Sequence, residues 1–376
     1  MSQPLAMMMA GGTGGHIFPA LAVARALQSE GWQVIWLGTP QGLESRLVPP
    51  AGIEIEWLAV RGVRGKGLGG LLTGLPRALL AVVQAWRLLR RRKPDLVLGF
   101  GGFVALPGGI AAALAGCPLL IHESNAVAGL TNRVLALFAR EVLEGFPQSF
   151  VQRGANRLAR HLPLPGSTIT TGNPVRAELA AVPPPEIRFA GRTGPLRLLV
   201  VGGSQGARAL NETLPAALAL LPADGRPEVR HQAGARLIDA MQDAYGARGV
   251  QAEVVPFIDD MAQALADADL VVCRSGALTV AELAAVGVAS LLVPFPAAVD
   301  DHQTRNAEFL ATAGAALLVP QSTLTPAHLA DLLAGLQRPA LLSMASRARA
   351  LGQPQATAAV LQRVRALRSQ SLPRAA

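Results

Sequence analysis

Short apolar runs separated by longer mixed segments give this chain the rhythm of a repeated βα unit. The runs predict strands at 5–10, 34–38, 53–60, 96–100, 119–123, 141–146 and 168–172, with helical stretches between most of them. A second set begins at 197–202 and continues near 229–233, 252–257, 270–273, 289–294 and 316–319. Strands alternating with helices predict an α/β protein with a parallel, doubly wound sheet in each half. Between the two sets, GNPVRAEL and then VPPPEIRFAGRTGP form a Pro- and Gly-rich join near 173–195. Open sheets of this kind bind ligands at the carboxyl ends of their strands, so a cleft is expected at the join. A last helix is expected from Gln355 to Arg368, and the pattern does not say which half it packs on.

Composition agrees with buried sheets. A hydrophobic content of 51% and a mean hydropathy of +0.34 are high for a soluble protein, as parallel strands covered on both faces require. The length of 376 residues allows two or three domains. Cys117 and Cys273 lie in unrelated apolar segments without CxxC spacing, which argues against a zinc site or a disulfide framework and for a reducing compartment. The start, MSQPLAMMMAGG, has no basic region, long apolar core or small-residue cleavage site, so a cytoplasmic chain is expected. Phe100 to Ile121 is uncharged over 22 residues, long enough to span a bilayer. Five glycines and two prolines interrupt it, and strand end, helix and next strand is the better reading.

The net charge of +9 is unevenly placed. Residues 1–166 hold 16 Lys and Arg against 8 Asp and Glu, and the rest of the chain is close to neutral. Much of the surplus lies between Arg61 and Lys93, where Arg61, Arg64, Lys66, Arg77, Arg87 and Arg90 to Lys93 are mixed with Leu, Val and Trp86. Such a segment suits an anionic membrane surface, where each cation near the lipid contributes about 1 kcal/mol. It equally suits a core-packed helix whose terminal cations complement its dipole, and the sequence leaves both open. Nucleic acid is not indicated, because aromatics are 4% of the chain and no stacking motif accompanies the charge.

Two glycine-rich turns each follow an apolar strand and open a helix: MMMAGGTGGHIFPAL from Met7 to Leu21 and LLVVGGSQGARAL from Leu198 to Leu210. Glycine lets the backbone take positive φ and approach a ligand closely, and the first amides of the helix attract negative charge. The pair therefore predicts two phosphate-handling sites. Neither is a nicotinamide fingerprint, since Ile17 stands where the third glycine belongs and Ala207 and Arg208 follow Gly206. The two lysines, Lys66 and Lys93, follow neither loop, so no Walker lysine is present. No cofactor is expected. DADL at Asp267 to Leu270 imitates a metal-binding DxD, but its acids precede the strand LVVC on the side away from ligand, so no metal is assigned.

GGTGGHIFPALAVA, GFGGFVALPG, HESNAVAGLTNR, GNPVR, VVGGSQGARALNETLP, FIDDM, VVCRSGALTVAELAAVG and DDHQTRNA occur in this order. Together they closely resemble the MurG family, the peripheral N-acetylglucosaminyltransferases of glycosyltransferase family 28 that complete the lipid-linked disaccharide precursor of peptidoglycan. The resemblance covers about 10–310 and the C-terminal helix region, essentially the whole chain. It implies a GT-B fold, two Rossmann-like doubly wound parallel-sheet domains facing across a cleft. Residues 1–173, joined by the helix 353–370, would form the acceptor and membrane-associated domain, and 174–352 the UDP-GlcNAc domain. The implied reaction is inverting transfer of N-acetylglucosamine to the 4-hydroxyl of MurNAc in undecaprenyl-diphosphoryl-MurNAc-pentapeptide. Its place is the cytoplasmic face of the bacterial inner membrane, held peripherally by an anionic lipid surface, with other cell-wall synthesis proteins as further partners.

The resemblance also assigns residues. UDP-GlcNAc would meet Thr13, Gly14, Gly15, Asn125, Arg176, Ser204, Gln205, Ile258, Ala277, Leu278, Thr279, Val280, Ala281, Glu282 and Gln303. Glu282 would take the ribose hydroxyls, the Ile258 backbone would read uracil, and Arg176 and Gln303 would hold the sugar and its phosphates. Read without that context, Glu282 is an ordinary helix glutamate favoured by the dipole and Arg176 a solvated linker charge. Ser204, Gln205 and the amides around Gly206 are placed to compensate the charge on departing diphosphate, an effect worth about 10² to 10³ in rate per donor. His16 and Asn125 are the catalytic candidates. At a helix start the positive dipole end favours neutral imidazole, the form that serves as general base, though a structural or phosphate-binding role for His16 stays open. Asn125 and Asn211 could equally cap or buttress a turn. Phe103 and Ser124 depart from the family pattern, in which tyrosine and glutamine are frequent. Another GT-B UDP-sugar enzyme, a glycolipid transferase or an epimerase, is the alternative reading, and a non-catalytic scaffold is a distant third.

Overall fold

The computed structural model describes residues 3–59, 68–151, 162–203 and 207–371. Arg61, Arg64 and Lys66 of the basic segment and Ser204, Gln205 and Gly206 of the second glycine turn lie outside the described residues. The chain divides into two compact units, one of residues 1–175 with 355–376 and one of residues 176–354.

In the first unit the described strands are β1 (Leu5–Ala10), β2 (Gln33–Gly38), β3 (Glu54–Trp57), β4 (Leu96–Gly101), β5 (Leu119–Glu123), β6 (Glu141–Glu144) and β7 (Ile169–Thr170). They form one parallel sheet in the order β3-β2-β1-β4-β5-β6-β7. The central strand LAMMMA shows why it is central. Met8 packs with Trp36, Leu98 and Phe100 on one face, and Met7 and Met9 pack with Leu37, Val97 and Ile121 on the other. A strand whose successive side chains point to opposite faces must be apolar throughout when both faces are covered.

Helix α1 (Gly14–Ser29) covers the first face, together with the C-terminal helix Ala356–Ser371, which contributes Val360, Leu361, Val364 and Leu367 to that core. Polar contacts fix the C-terminal helix in place. Arg363 Nε donates to Glu141 at 2.8 Å, Arg365 Nε to Glu30 at 3.0 Å, and the Arg368 guanidinium lies 5.2 Å from the Trp32 ring. After the four-residue α2 (Glu44–Leu47), the second face is covered by α3 (Leu68–Arg92), α4 (Ala105–Leu114) and α5 (Leu130–Leu135). The uncharged stretch from Phe100 thus resolves into the end of β4, α4 and β5. No helix among the described residues is long and apolar enough to cross a membrane.

The second unit repeats the plan with β8 (Arg197–Val201), β9 (Glu228–Gln232), β10 (Glu253–Val255), β11 (Leu270–Cys273), β12 (Ala289–Leu292) and β13 (Ala316–Leu318). Its parallel order is β10-β9-β8-β11-β12-β13. Several predicted strands end early in both sheets. Leu58 and Val293 remain buried as the first residues of loops at the carboxyl edge, and Phe146 is buried next to Gly145, the first residue beyond β6, so the apolar run outlasts the ladder. Asp267 closes the helix Met261–Asp267, and Asp269 is fully buried ahead of β11. Asp269 accepts bonds from the Arg197 amide at 3.0 Å, Arg192 Nη1 at 2.6 Å and Arg338 Nε at 3.2 Å, which makes it a brace for the amino edge.

Candidate functional site

Strand order reverses once in each sheet, between β1 and β4 and between β8 and β11, and an open α/β sheet offers its ligand crevice at such a point. Both glycine turns leave the sheet there. In the first unit, Gly12 at φ +89° and Gly102 at φ +84° bring the loops after β1 and β4 together. A Cβ on Gly102 would stand 2.2 Å from the Gly11 carbonyl oxygen, so only glycine permits that approach. Thr13 is the extended N-cap of α1, and its carbonyl accepts the His16 amide at 3.1 Å. The amides of Gly14 and Gly15, in the first turn, have no intrahelical carbonyl to bond and are the anion-facing groups of the helix start. His16 is half-buried, with Nδ1 3.5 Å from the Thr13 hydroxyl and its ring against Gly101 at the end of β4.

The HESN turn after β5 is built around a buried carboxylate. Glu123 Oε1 accepts the Asn125 amide at 2.8 Å and its side-chain Nδ2 at 3.2 Å. Glu123 Oε2 accepts the Gly129 amide at 3.0 Å and Asn132 Nδ2 at 2.9 Å. Four donors thus hold Glu123 to its own loop and place Asn125 at the sheet edge. His122 beside it is fully buried, stacks on Phe100 and meets the Gly172 carbonyl through Nε2 at 3.0 Å. Burial pushes its pKa below the ordinary imidazole value, against the opposing pull of that carbonyl and of Glu123.

In the second unit the helix Ala277–Val286 opens after β11 with Gly276 as its extended N-cap. Ala277 and Val280 are buried, whereas Leu278, Thr279 and Ala281 are half-buried along its first two turns. Glu282, whose side chain is only 14% exposed, accepts a bond from Arg176 Nη2 at 3.1 Å. Burial pushes the Glu282 carboxyl above the usual carboxylate range, and the Arg176 guanidinium draws it back. Ile258 is buried on the loop between β10 and the helix Met261–Asp267, whose N-cap Asp260 accepts the Gln263 amide at 2.8 Å. Gln303 Oε1 accepts the Phe295 amide at 2.9 Å. Asn211 is a buttress: its Nδ2 donates to the Ala233 carbonyl at 3.2 Å and its Oδ1 lies 3.2 Å from His231 Nε2.

A cavity of about 580 Å³ opens at this carboxyl edge, with Gly202, Ala207, Arg208, Arg274, Phe295 and Gln303 among its walls. Arg274 was not singled out from the sequence. Its Nη1 donates to the carbonyls of Val293 and Pro294 at 3.1 Å each, its Nη2 donates to Gln321 Oε1 at 2.6 Å, and it lies 5.5 Å from the Phe295 ring. The available signal was a cation placed directly after the apolar strand LVVC and before a helix-opening glycine. Arg274 and Gln303 therefore share one cavity wall, and Arg176 and Glu282 form one ion pair.

Two parallel doubly wound sheets, each followed at its switch point by a glycine-rich turn, fit a glycosyltransferase of the GT-B class, which the family matches show. The description "Glycosyltransferase family 28 N-terminal domain" matches residues 6–144, and "Glycosyltransferase family 28 C-terminal domain" matches residues 197–361. The chain belongs to glycosyltransferase family 28. It is 54% identical over 354 residues to a protein of Azoarcus sp., covering 94% of this chain and 95% of that one. That relative is named UDP-N-acetylglucosamine--N-acetylmuramyl-(pentapeptide) pyrophosphoryl-undecaprenol N-acetylglucosamine transferase. A protein of the same name from Burkholderia thailandensis is 56% identical, covering 93% of each chain. Among solved structures, Acinetobacter baumannii MurG aligns with a TM-score of 0.83 at 44% identity, over 96% of this chain and 99% of that one. A calicheamicin glycosyltransferase aligns at 18% identity with a TM-score of 0.68, over 99% and 100% of the two chains, a likeness of fold alone.

Proposed function

We propose that this chain transfers N-acetylglucosamine from UDP-GlcNAc to the 4-hydroxyl of MurNAc in undecaprenyl-diphosphoryl-MurNAc-pentapeptide, with inversion at the anomeric carbon. The observation that carries the reading is identity of 54–56% across 93–94% of the chain to proteins named for that reaction. The geometry supplies groups suited to each step. The second unit, 174–352 in sequence terms, takes the donor: Glu282 accepts the ribose hydroxyls, Arg176 orients it, and the Ile258 backbone reads uracil. The helix start at Ala277 to Thr279, with Val280 and Ala281 behind it, receives the diphosphate, and Gln303 receives the sugar. Ser204 and Gln205 join them at the leaving group. The first unit takes the acceptor, with Thr13, Gly14 and Gly15 also meeting the donor and Asn125 a sugar hydroxyl.

In the chemical step the acceptor oxygen forms a bond to the anomeric carbon as the bond from that carbon to the UDP oxygen breaks. His16 takes the hydroxyl proton, and UDP leaves with the electron pair. Docking is peripheral, on the anionic cytoplasmic face of the membrane. On α3, Leu79, Leu80, Val83 and Trp86 are exposed, and Arg87 and Arg90 are on the same helix. Purified protein mixed with UDP-GlcNAc and a short-chain lipid-linked MurNAc-pentapeptide should release UDP and form disaccharide in equal amounts. UDP without disaccharide, or conversion of the nucleotide sugar to its epimer, would reject the assignment.

A further inference from the structure

Behind the first glycine turn lies a carboxylate that the proposed chemistry does not use. Glu44 opens α2 and is fully buried. Its Oε1 accepts the Thr39 amide at 2.9 Å and the Thr39 hydroxyl at 2.8 Å, and its Oε2 accepts the Gly12 amide at 3.3 Å. The surrounding chain is shaped to it. A Cβ on Gly42 would stand 2.1 Å from Oε1, one on Gly38 2.9 Å from Cγ, and one on Gly11 3.1 Å from Oε1. Gly38 at the end of β2, Gly42 in the turn after it and Gly11 in the turn after β1 therefore close around one side chain.

Among the described residues no basic side chain forms an ion pair with Glu44. A buried carboxylate without a cation is tolerated only where hydrogen-bond donors converge on it. Here the donors belong to the turn after β1 and the turn after β2, so the carboxylate ties the two together. It also commits the Gly12 amide to the interior. What the turn leaves for an anion is the start of α1, the amides of Gly14 and Gly15.

We propose that Glu44 is a positioning residue for the diphosphate of the acceptor, acting through the shape of the Gly11–Gly12 turn. The inference rests on the reading that the first unit takes a lipid-linked diphosphate. A direct charge effect has the opposite sign: an anion behind the turn repels the substrate, so neutralising it would tighten binding. Glu44→Gln separates the two, because it keeps the volume but turns an NH₂ group toward either Gly12 or Thr39.

The test is steady-state kinetics on the full-length chain with a short-chain lipid-linked MurNAc-pentapeptide and UDP-GlcNAc. Glu44→Gln should raise the acceptor KM about tenfold, the scale of one lost charge-assisted hydrogen bond. UDP affinity by calorimetry should match wild type, because UDP itself is held by the second unit, and the donor KM should rise less than the acceptor KM, since Thr13, Gly14 and Gly15 also meet the donor sugar. Glu44→Ala should be more severe, and if it does not fold the glutamine variant still decides. An acceptor KM that is unchanged or lower in Glu44→Gln would overturn the proposal, as would parallel loss of acceptor and UDP affinity. Wild-type protein that forms no disaccharide would overturn the reaction and this proposal with it. Wild-type turnover alongside unaltered Glu44→Gln kinetics would overturn this proposal alone.

Discussion

Arg176 and Glu282 stand 106 positions apart in sequence, and each alone reads as an unremarkable charge. The fold pairs them, and their opposing influences on one carboxyl give a pH test. Because burial raises the Glu282 pKa, the folded chain binds that proton more tightly than the unfolded chain does. The group's contribution to stability therefore falls as pH rises from the ordinary carboxylate range through the raised value, and is constant above it. Donor binding runs the other way, since protonation removes the charge and turns one of the two accepting oxygens into a donor, leaving the ribose hydroxyls a weaker neutral acceptor. UDP-GlcNAc affinity should weaken as pH falls through this titration, and in Arg176→Ala the weakening should begin at higher pH, because the lowering partner is gone. Calorimetric titrations across a pH series on both proteins check this, and superimposable profiles would reject it. For His16→Ala, turnover should fall by about 10² to 10⁴ with donor affinity retained, and near-normal turnover would remove His16 from the base role. Gly14 and Gly15 stand out by residue type and spacing, as a glycine turn between an apolar strand and a helix, whereas Glu282 and Gln303 are singled out only through the family resemblance of the motifs that contain them. Glu44, Glu123 and Arg274 could not be picked either way, because what distinguishes them is burial and the loops that converge on them, and no local pattern encodes either.

Among elements, the basic helix α3 departs most from what its sequence invites. Arg90 to Lys93 read as four cations available to a lipid surface. In the structure, Arg91 Nη2 donates to Glu56 at 2.7 Å and Arg92 Nε donates to the same carboxylate at 2.5 Å, so two of the four are tied to β3. Arg90 lies 5.6 Å from the Trp86 ring. For the docking proposed above, these cations would then contribute well below the roughly 4 kcal/mol of four free cations, and the exposed apolar side chains would supply more of it. Leu80→Glu should reduce binding to anionic vesicles in a flotation assay more than Arg91→Gln does; the reverse ranking would place the docking surface elsewhere. The C-terminal helix shows a different limit of sequence reading. Its apolar positions predict a helix, but the choice of sheet depends on partners such as Glu30, Glu141 and Trp32, hundreds of residues away. Leu361 is almost fully buried there, so Leu361→Ala should cost about 2 to 5 kcal/mol, measured by denaturant unfolding. A loss below about 0.5 kcal/mol, the scale of an ordinary surface substitution, would mean that the helix is not bound to that core.

At the scale of the whole molecule, strand positions were legible because a parallel sheet covered on both faces leaves an unbroken apolar run for each strand. Strand order was less so, since the reversals at β1 and β8 arise from crossover handedness and packing rather than from any one segment. The resulting division has a thermodynamic consequence. Each unit has its own apolar core, so each can unfold as a cooperative body, and a ligand stabilises the body that holds it. At a concentration of 100 times Kd, UDP-GlcNAc should add about 2.7 kcal/mol to its host. For a unit of this size, each kcal/mol raises the midpoint by roughly 2 to 4 °C. Differential scanning calorimetry should show two transitions, one moving up substantially with donor, and hydrogen exchange should place most of the new protection within residues 176–354. Glu282→Ala should abolish the shift, whereas His16→Ala should retain it, because the first acts on binding and the second on proton transfer. Larger upward movement of the other transition, or protection concentrated in residues 3–59, would place the donor in the first unit and reverse the roles proposed for the two glycine turns.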